Sequence, residues 1–185
     1  MKKLSLLALI LIATCVVAMA QPRAIGGRLG LSAGPSYQHQ IGEKTMIQAD
    51  VDILAFAAGI QGTVTFNWIV PLKSWEKANW NLIAGVGVGG GIEGWGGRSY
   101  FYDASGNLID IWGGHGFAGV AGMAGLEWNF KFPLQLSIEY RPVIGAGFSK
   151  KPRFDDPNKT SVGFYKHGLW LSAVAIGVRY KFGGK

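Results

Sequence analysis

The sequence predicts an all-β fold, an eight-stranded antiparallel up-and-down transmembrane β-barrel. Three observations predict it: apolar and polar side chains alternate with a period of two along successive segments, aromatics gather at the ends of the apolar faces, and an export signal stands at the start. The last segment, 168–182, carries the pattern most plainly. Trp170, Ser172, Val174, Ile176, Val178, Tyr180 and Phe182 share one face, and Leu169, Leu171, Ala173, Ala175, Gly177, Arg179 and Lys181 share the other. Trp170 to Tyr180 rises about 33 Å along a strand. A tilt of about 40° turns that into about 25 Å of barrel height, which matches a lipid-facing band.

The first twenty residues read as a secretory signal peptide. Lys2 and Lys3 precede an apolar run from Leu4 to Val17, and Ala18-Met19-Ala20 supplies an A-x-A cleavage site before Gln21. The run is short for a membrane helix. A lipoprotein signal cut before Cys15 is the rival reading, disfavoured by Thr14 just ahead and by the apolar residues that follow. The barrel domain is then 21–185.

Cys15 is the sole cysteine, which excludes a disulfide framework and a cysteine-based zinc site. Removing two lysines from a formal +7 leaves +5 for the exported chain. The charged fraction, 16%, lies below the ~25% typical of soluble domains. Beyond the signal, no run of about 20 apolar residues exists to form a membrane helix.

The elements follow in order. The first strand covers 24–31, with Ile25, Gly27, Leu29 and Leu31 opposite Gly26, Arg28 and Gly30. The second, 35–41, places Ser36, Gln38 and Gln40 on a polar face. The third, 46–54, sets Ile47, Ala49, Val51 and Ile53 against Gln48, Asp50 and Asp52. In the fourth, 60–70, Val64, Phe66, Trp68 and Val70 oppose Gln61, Thr63, Thr65 and Asn67; Pro71 is expected to stop it. The fifth, 80–92, opposes Trp80, Leu82, Ala84, Val86 and Val88 to Asn81 and alternate glycines. A long loop, 93–115, precedes the sixth strand, 116–130, where Val120, Leu126, Trp128 and Phe130 oppose Met123, Glu127 and Asn129. The seventh, 134–143, opposes Leu134, Leu136, Ile138 and Tyr140 to Gln135, Ser137, Glu139 and Arg141. A basic loop, 144–167, leads to the last strand.

A lipocalin-type barrel also alternates, with its apolar face inward. Here the polar faces are mostly Gly, Ala, Ser, Thr, Gln and Asn, which suits a narrow packed interior rather than a solvated exterior. The aromatics form a girdle: Trp68, Trp80, Trp128, Phe130, Tyr180 and Phe182 fall at one edge, Tyr140 and Trp170 at the other. Closure also leaves no backbone edge unpaired in hydrocarbon.

With these features the chain resembles the small eight-stranded outer-membrane barrels of the OmpX/OmpA type, particularly those of Bacteroidetes-like bacteria. The resemblance covers 24–182. Its sharpest motif is a terminal assembly signal, matched by Gly177, Tyr180 and Phe182, with Ala175 at a position usually polar. The resemblance implies an outer-membrane location, a monomer, and transient contact with the barrel-assembly machinery. Some eight-stranded barrels modify lipid A using His with Ser or acidic partners, and His115 and His167 flank the long loops near Ser99, Asp103, Asp110 and Ser149. No spacing fixes a catalytic geometry there, so no enzyme is expected.

Arg28, Asp50, Asp52, Glu127, Glu139, Arg141 and Arg179 fall on inward faces. Isolated charges in a lumen are costly, which predicts mutual pairing. One reading is a plug that holds the strands in register; the other is a narrow ion channel. The filled interior of eight-stranded barrels favours the plug. Lys150, Lys151, Arg153, Lys159 and Lys166 offer cations to lipopolysaccharide phosphates, or merely a solvated loop. Tyr100-Phe101-Tyr102 suits an unknown extracellular partner or its own loop's packing. The positive residues form no stripe for nucleic acid. The glycines of 85–91 lie in a strand pattern with no helix after them, so no cofactor is expected, and three scattered histidines give no metal site. The functional expectation is a structural or surface-interaction role without a wide pore.

Overall fold

The computed structural model describes residues 23–55, 58–74, 76–94, 98–102, 105–150, 160–165, 169 and 173–183. The expected signal segment lies outside them. The strands are β1 (Arg23–Gly30), β2 (Ser32–Gly42), β3 (Thr45–Leu54), β4 (Gly59–Ser74), β5 (Ala78–Glu93), β6 (Arg98–Tyr102), β7 (Leu108–Trp112), β8 (His115–Phe130), β9 (Leu134–Tyr140), β10 (Val143–Lys150), β11 (Thr160–Tyr165) and β12 (Val174–Phe182).

They build a closed eight-stranded antiparallel β-barrel. β1 to β5 and then β8 are successive neighbours, β9 lies between β8 and β12, and β12 pairs with β1 from Arg23↔Phe182 to Gly30↔Ala175. The seventh stave is β9 followed by β10, and the eighth is β11 followed by β12. Pro142 separates β9 from β10 because it has no N–H for the ladder. Neighbouring staves bridge the break: Gly122 N–H donates to the Pro142 carbonyl at 2.8 Å, and Arg141 N–H to the Ala173 carbonyl at 2.9 Å.

Several boundaries differ from the sequence expectation: β2 starts at Ser32 rather than at 35, and further differences change an element. Pro71 does not stop β4, which runs on to Ser74 because a bulge between Pro71 and Lys73 absorbs the missing donor. The segment 93–115 is not all loop: β6 and β7 form their own hairpin, from Arg98↔Trp112 to Tyr102↔Leu108. The segment 144–167 is not all loop either. β10 pairs with β8 up to Ser149↔His115, and β11 pairs with β10 from Gly145↔Tyr165 to Lys150↔Thr160. The alternation of Ile144, Ala146 and Phe148 with Gly145 and Gly147 was the strand signal; the prolines and lysines beyond it dominated the composition. The final strand is described from Val174, with Ala173 in a 3-10 turn ahead of it; residues 168 and 170–172 of its expected range lie outside the described residues.

The barrel is inside out relative to a soluble domain. Ile25, Leu29, Val51, Ile53, Val64, Val86, Val88, Val120, Ile138 and Ile176 are exposed on the outer wall, whereas Arg28, Asp50, Asp52, Glu127, Glu139, Arg141 and Arg179 are buried within. The interior is layered rather than uniformly polar. Met46, Ile83 and Met123 form one apolar cluster, and Leu54, Phe117, Ala121, Val143 and Tyr165 form another. Between them the side chains are polar and charged.

Candidate functional site: the buried charge network and the barrel ends

Period-two alternation on four staves sends the network inward. Arg28 comes from β1, Asp50 and Asp52 from β3, Glu139 from β9, Arg141 from the β9–β10 link and Arg179 from β12. Glu139 is the hub. Its Oε1 accepts from Arg179 Nη2 at 2.6 Å, and its Oε2 accepts from Arg141 Nη2 at 2.8 Å. Arg28 Nε lies 3.1 Å from the same Oε2. Arg28 is also paired with Asp52, and Arg141 with Asp50. Three guanidiniums thus face three carboxylates, so the cluster is neutral overall.

Hydroxyls and amides complete it. Arg179 Nε donates to Ser36 Oγ at 2.8 Å, Arg179 Nη1 to Ser137 Oγ at 2.9 Å, and Arg141 Nη1 to Thr63 Oγ1 at 3.0 Å. Ser137 Oγ in turn donates to Glu139 Oε1 at 2.6 Å. Such a network holds its members because removing any one leaves a charge buried without its partner.

Glu127 stands apart from the hub. It accepts from the amides of Asn81, Asn129 and Gln135. A relay of amides connects the two regions: Gln135 Nε2 donates to Gln38 Oε1 at 2.8 Å, Gln38 Nε2 to Gln48 Oε1 at 2.9 Å, and Gln48 Nε2 to Glu139 Oε2 at 3.1 Å. Gln38, Gln48 and Gln135 were not singled out as a relay from the sequence, although Gln48 shares the parity of Asp50 on β3 and Gln135 that of Glu139 on β9; β2 carries no charged residue beside Gln38. On the Glu127 side lies a cavity of about 520 Å³, lined by residues that include Gln38, Gln40, Asn81, Glu127, Gln135 and Lys181.

Gly177 has a packing role in this network. A Cβ there would sit 2.3 Å from Ser137 Oγ and 2.6 Å from Arg179 Nη1, so a larger residue displaces the end of one of these side chains from the network. Tyr180 and Phe182, the other residues of the terminal motif, point outward.

The girdle residues divide. Trp80 and Trp128 meet edge to face with ring centroids 4.8 Å apart, and Phe130 stacks on Phe132 at 5.1 Å. Tyr180 and Phe182 share that end on β12, and Trp68 is exposed on β4. Tyr140 is not at the opposite edge of the wall. β10 carries the stave on to Lys150, and the Tyr140 hydroxyl donates to the Leu169 carbonyl at 3.0 Å. Trp170 lies outside the described residues, as do Lys151, Arg153, Lys159, Lys166, Asp103 and His167. Lys150 closes β10.

At the other end of the barrel Phe117 stacks flat on Tyr165, with centroids 4.0 Å apart and planes 6° from parallel. The Tyr165 hydroxyl donates to Glu93 Oε1 at 2.7 Å. Among the described residues no three His, Cys, Asp or Glu side chains are grouped to hold a metal ion. Fold and site together define a class: a closed small barrel with an apolar outer wall and a neutral ionic plug. No family model, curated protein or solved structure matches the chain.

Proposed function

We propose that the chain is an outer-membrane β-barrel protein, exported by residues 1–20 and seated in lipid as a monomer, whose role is structural and interactive at the cell surface. The observation that carries this reading is the inversion of the wall. Ile176 is 54% exposed and Val88 65% exposed, while Arg28 and Arg179 are each 1% exposed. In water that arrangement forfeits the hydrophobic stabilisation of folding and desolvates six charges; in hydrocarbon it satisfies both faces. The ionic plug argues for a barrel without a wide pore, since arginine side chains occupy the lumen.

The surface role falls to the β6–β7 hairpin, where Tyr100, Tyr102 and Leu108 are exposed, and to the basic segment after β10, whose lysines suit lipopolysaccharide phosphates. The terminal motif Gly177, Tyr180 and Phe182 is the feature offered to the barrel-assembly machinery. Expression in a Gram-negative host, with membrane fractionation and planar-bilayer recording, tests the reading. The expected result is a heat-modifiable outer-membrane band without large conductance steps. A soluble periplasmic protein, or steps of porin size, contradicts it.

A further inference from the structure

Glu127 is a buried acid that the ionic plug leaves out. Arg28, Arg141 and Arg179 are committed to Asp50, Asp52 and Glu139, and among the described residues Glu127 has no cation within ion-pairing distance. Its side chain is 3% exposed, and its partners there are the amides of Asn81, Asn129 and Gln135. Amide dipoles lower the cost of a buried carboxylate without neutralising it. Two carboxylate oxygens offer about four lone-pair sites, and three amides fill three of them. A second acceptor stands unmet beside it, because Gln135 Oε1 is buried without a partner.

Both residues line the cavity of about 520 Å³ at the end where β1 begins and β12 ends. That volume falls within the roughly 300–1,000 Å³ of small-molecule sites. The chemistry of the lining changes with depth. Glu127 and Gln135 are buried at its floor, and Met46 and Ile69 give it an apolar wall that continues into Ile83 and Met123. The mouth carries half-buried or exposed Arg23, Lys73 and Lys181 against one exposed acid, Glu43. Lys181 Nζ donates to the Phe130 carbonyl at 2.6 Å, which uses one of its three N–H groups.

Acceptors within and an excess of cations at the entrance select a ligand whose charges run in the opposite order, ammonium leading and carboxylate trailing. A diamine brings its second cation into a positive mouth. A simple carboxylate brings an anion to Glu127. A small zwitterion satisfies both ends, and the Met46–Ile69 wall favours one with an apolar side chain.

We propose that this cavity is a binding site for an α-amino acid with an apolar side chain. Its ammonium meets Glu127 and Gln135 Oε1, its carboxylate meets Lys181, and its side chain lies on Met46 and Ile69. The site goes beyond the structural and surface role above and does not depend on the membrane reading.

The test uses the full chain folded in detergent micelles, with the heat-modifiable gel band as a check on folding. Isothermal titration calorimetry with L-leucine should show saturable binding at one site per chain. 4-Methylpentanoate, which lacks the ammonium, should not bind. 3-Methylbutan-1-amine, which lacks the carboxylate, should lose at least about threefold in affinity. Glycine, which lacks the side chain, should lose at least about tenfold. Glu127→Gln should weaken L-leucine binding by about 30-fold or more, as truncating one partner of a buried charge pair does. Gln40→Trp fills the cavity from its side while leaving Glu127 in place, and it should abolish binding even where Glu127→Gln fails to fold. Absence of saturable heat with L-leucine, or unaltered binding in either folded variant, overturns the site. An amine that binds as tightly as L-leucine overturns the zwitterion assignment, and 4-methylpentanoate binding as tightly overturns the role of Glu127.

Discussion

Arg179 and Glu139, forty residues apart in sequence, meet inside the barrel with Nη2 and Oε1 at 2.6 Å. Their strands, β12 and β9, are wall neighbours in the register Arg179↔Gln135 to Ala175↔Glu139. The contact therefore runs diagonally along the lumen, and the same carboxylate also serves Arg141 and Arg28. One acid thus draws together the first, seventh and eighth staves, which close the ring.

Glu139→Ala leaves three buried guanidiniums short of a partner. The expected loss is about 3–5 kcal/mol, the usual result of removing one member of a buried ionic cluster. Urea unfolding of the protein in micelles, followed by tryptophan fluorescence, measures it. A midpoint equal to that of the unaltered protein contradicts the hub role.

Asp50→Leu removes one partner of Arg141, which keeps Glu139 at 2.8 Å and Thr63 at 3.0 Å. The folded band should lose heat resistance on gels, and bilayer conductance should stay closed because Arg28, Arg141 and Arg179 still fill the lumen. Unaltered heat resistance together with new ion conductance identifies the cluster as a gate instead of a plug.

Gly177→Ala forces a methyl group against Ser137 and Arg179, at a cost of about 1–3 kcal/mol for overpacking. Tyr180→Ala, altering an outward residue, should instead reduce the yield of assembled barrel in cells more than its unfolding midpoint in micelles. Measuring both quantities for both variants separates packing from recognition within one motif. Equal effects on the two quantities contradict that division.

Val86→Arg places a cation midway along the outer face of β5, between Trp80 and Ile92. In a bilayer the cost is about 2–4 kcal/mol near the midplane. On a water-exposed wall the change is close to neutral or favourable. Unfolding from lipid vesicles reports which solvent the residue meets.

The eight staves of the barrel and the facing of the residues along them were legible because period two is fixed by backbone geometry and needs no knowledge of partners. Arg28, Asp50, Asp52, Glu139, Arg141 and Arg179 were recognisable as inward by parity alone. Which of them pairs with which depends on register across the closure between β12 and β1, and no local pattern encodes that. The inner apolar clusters were hidden for a different reason. Ile83 sits among inward glycines and Val143 beside Pro142, so neither lies in a run that contrasts with polar neighbours.

The direction of the apolar wall underlies the whole functional account, and single-cysteine spin labelling in lipid bilayers tests it most directly. Val86→Cys, Val120→Cys and Ile176→Cys, each labelled and reconstituted, are predicted to collide readily with dissolved oxygen and hardly at all with a water-soluble nickel chelate. Free collision with the nickel chelate at these three positions, in correctly folded protein, contradicts the account.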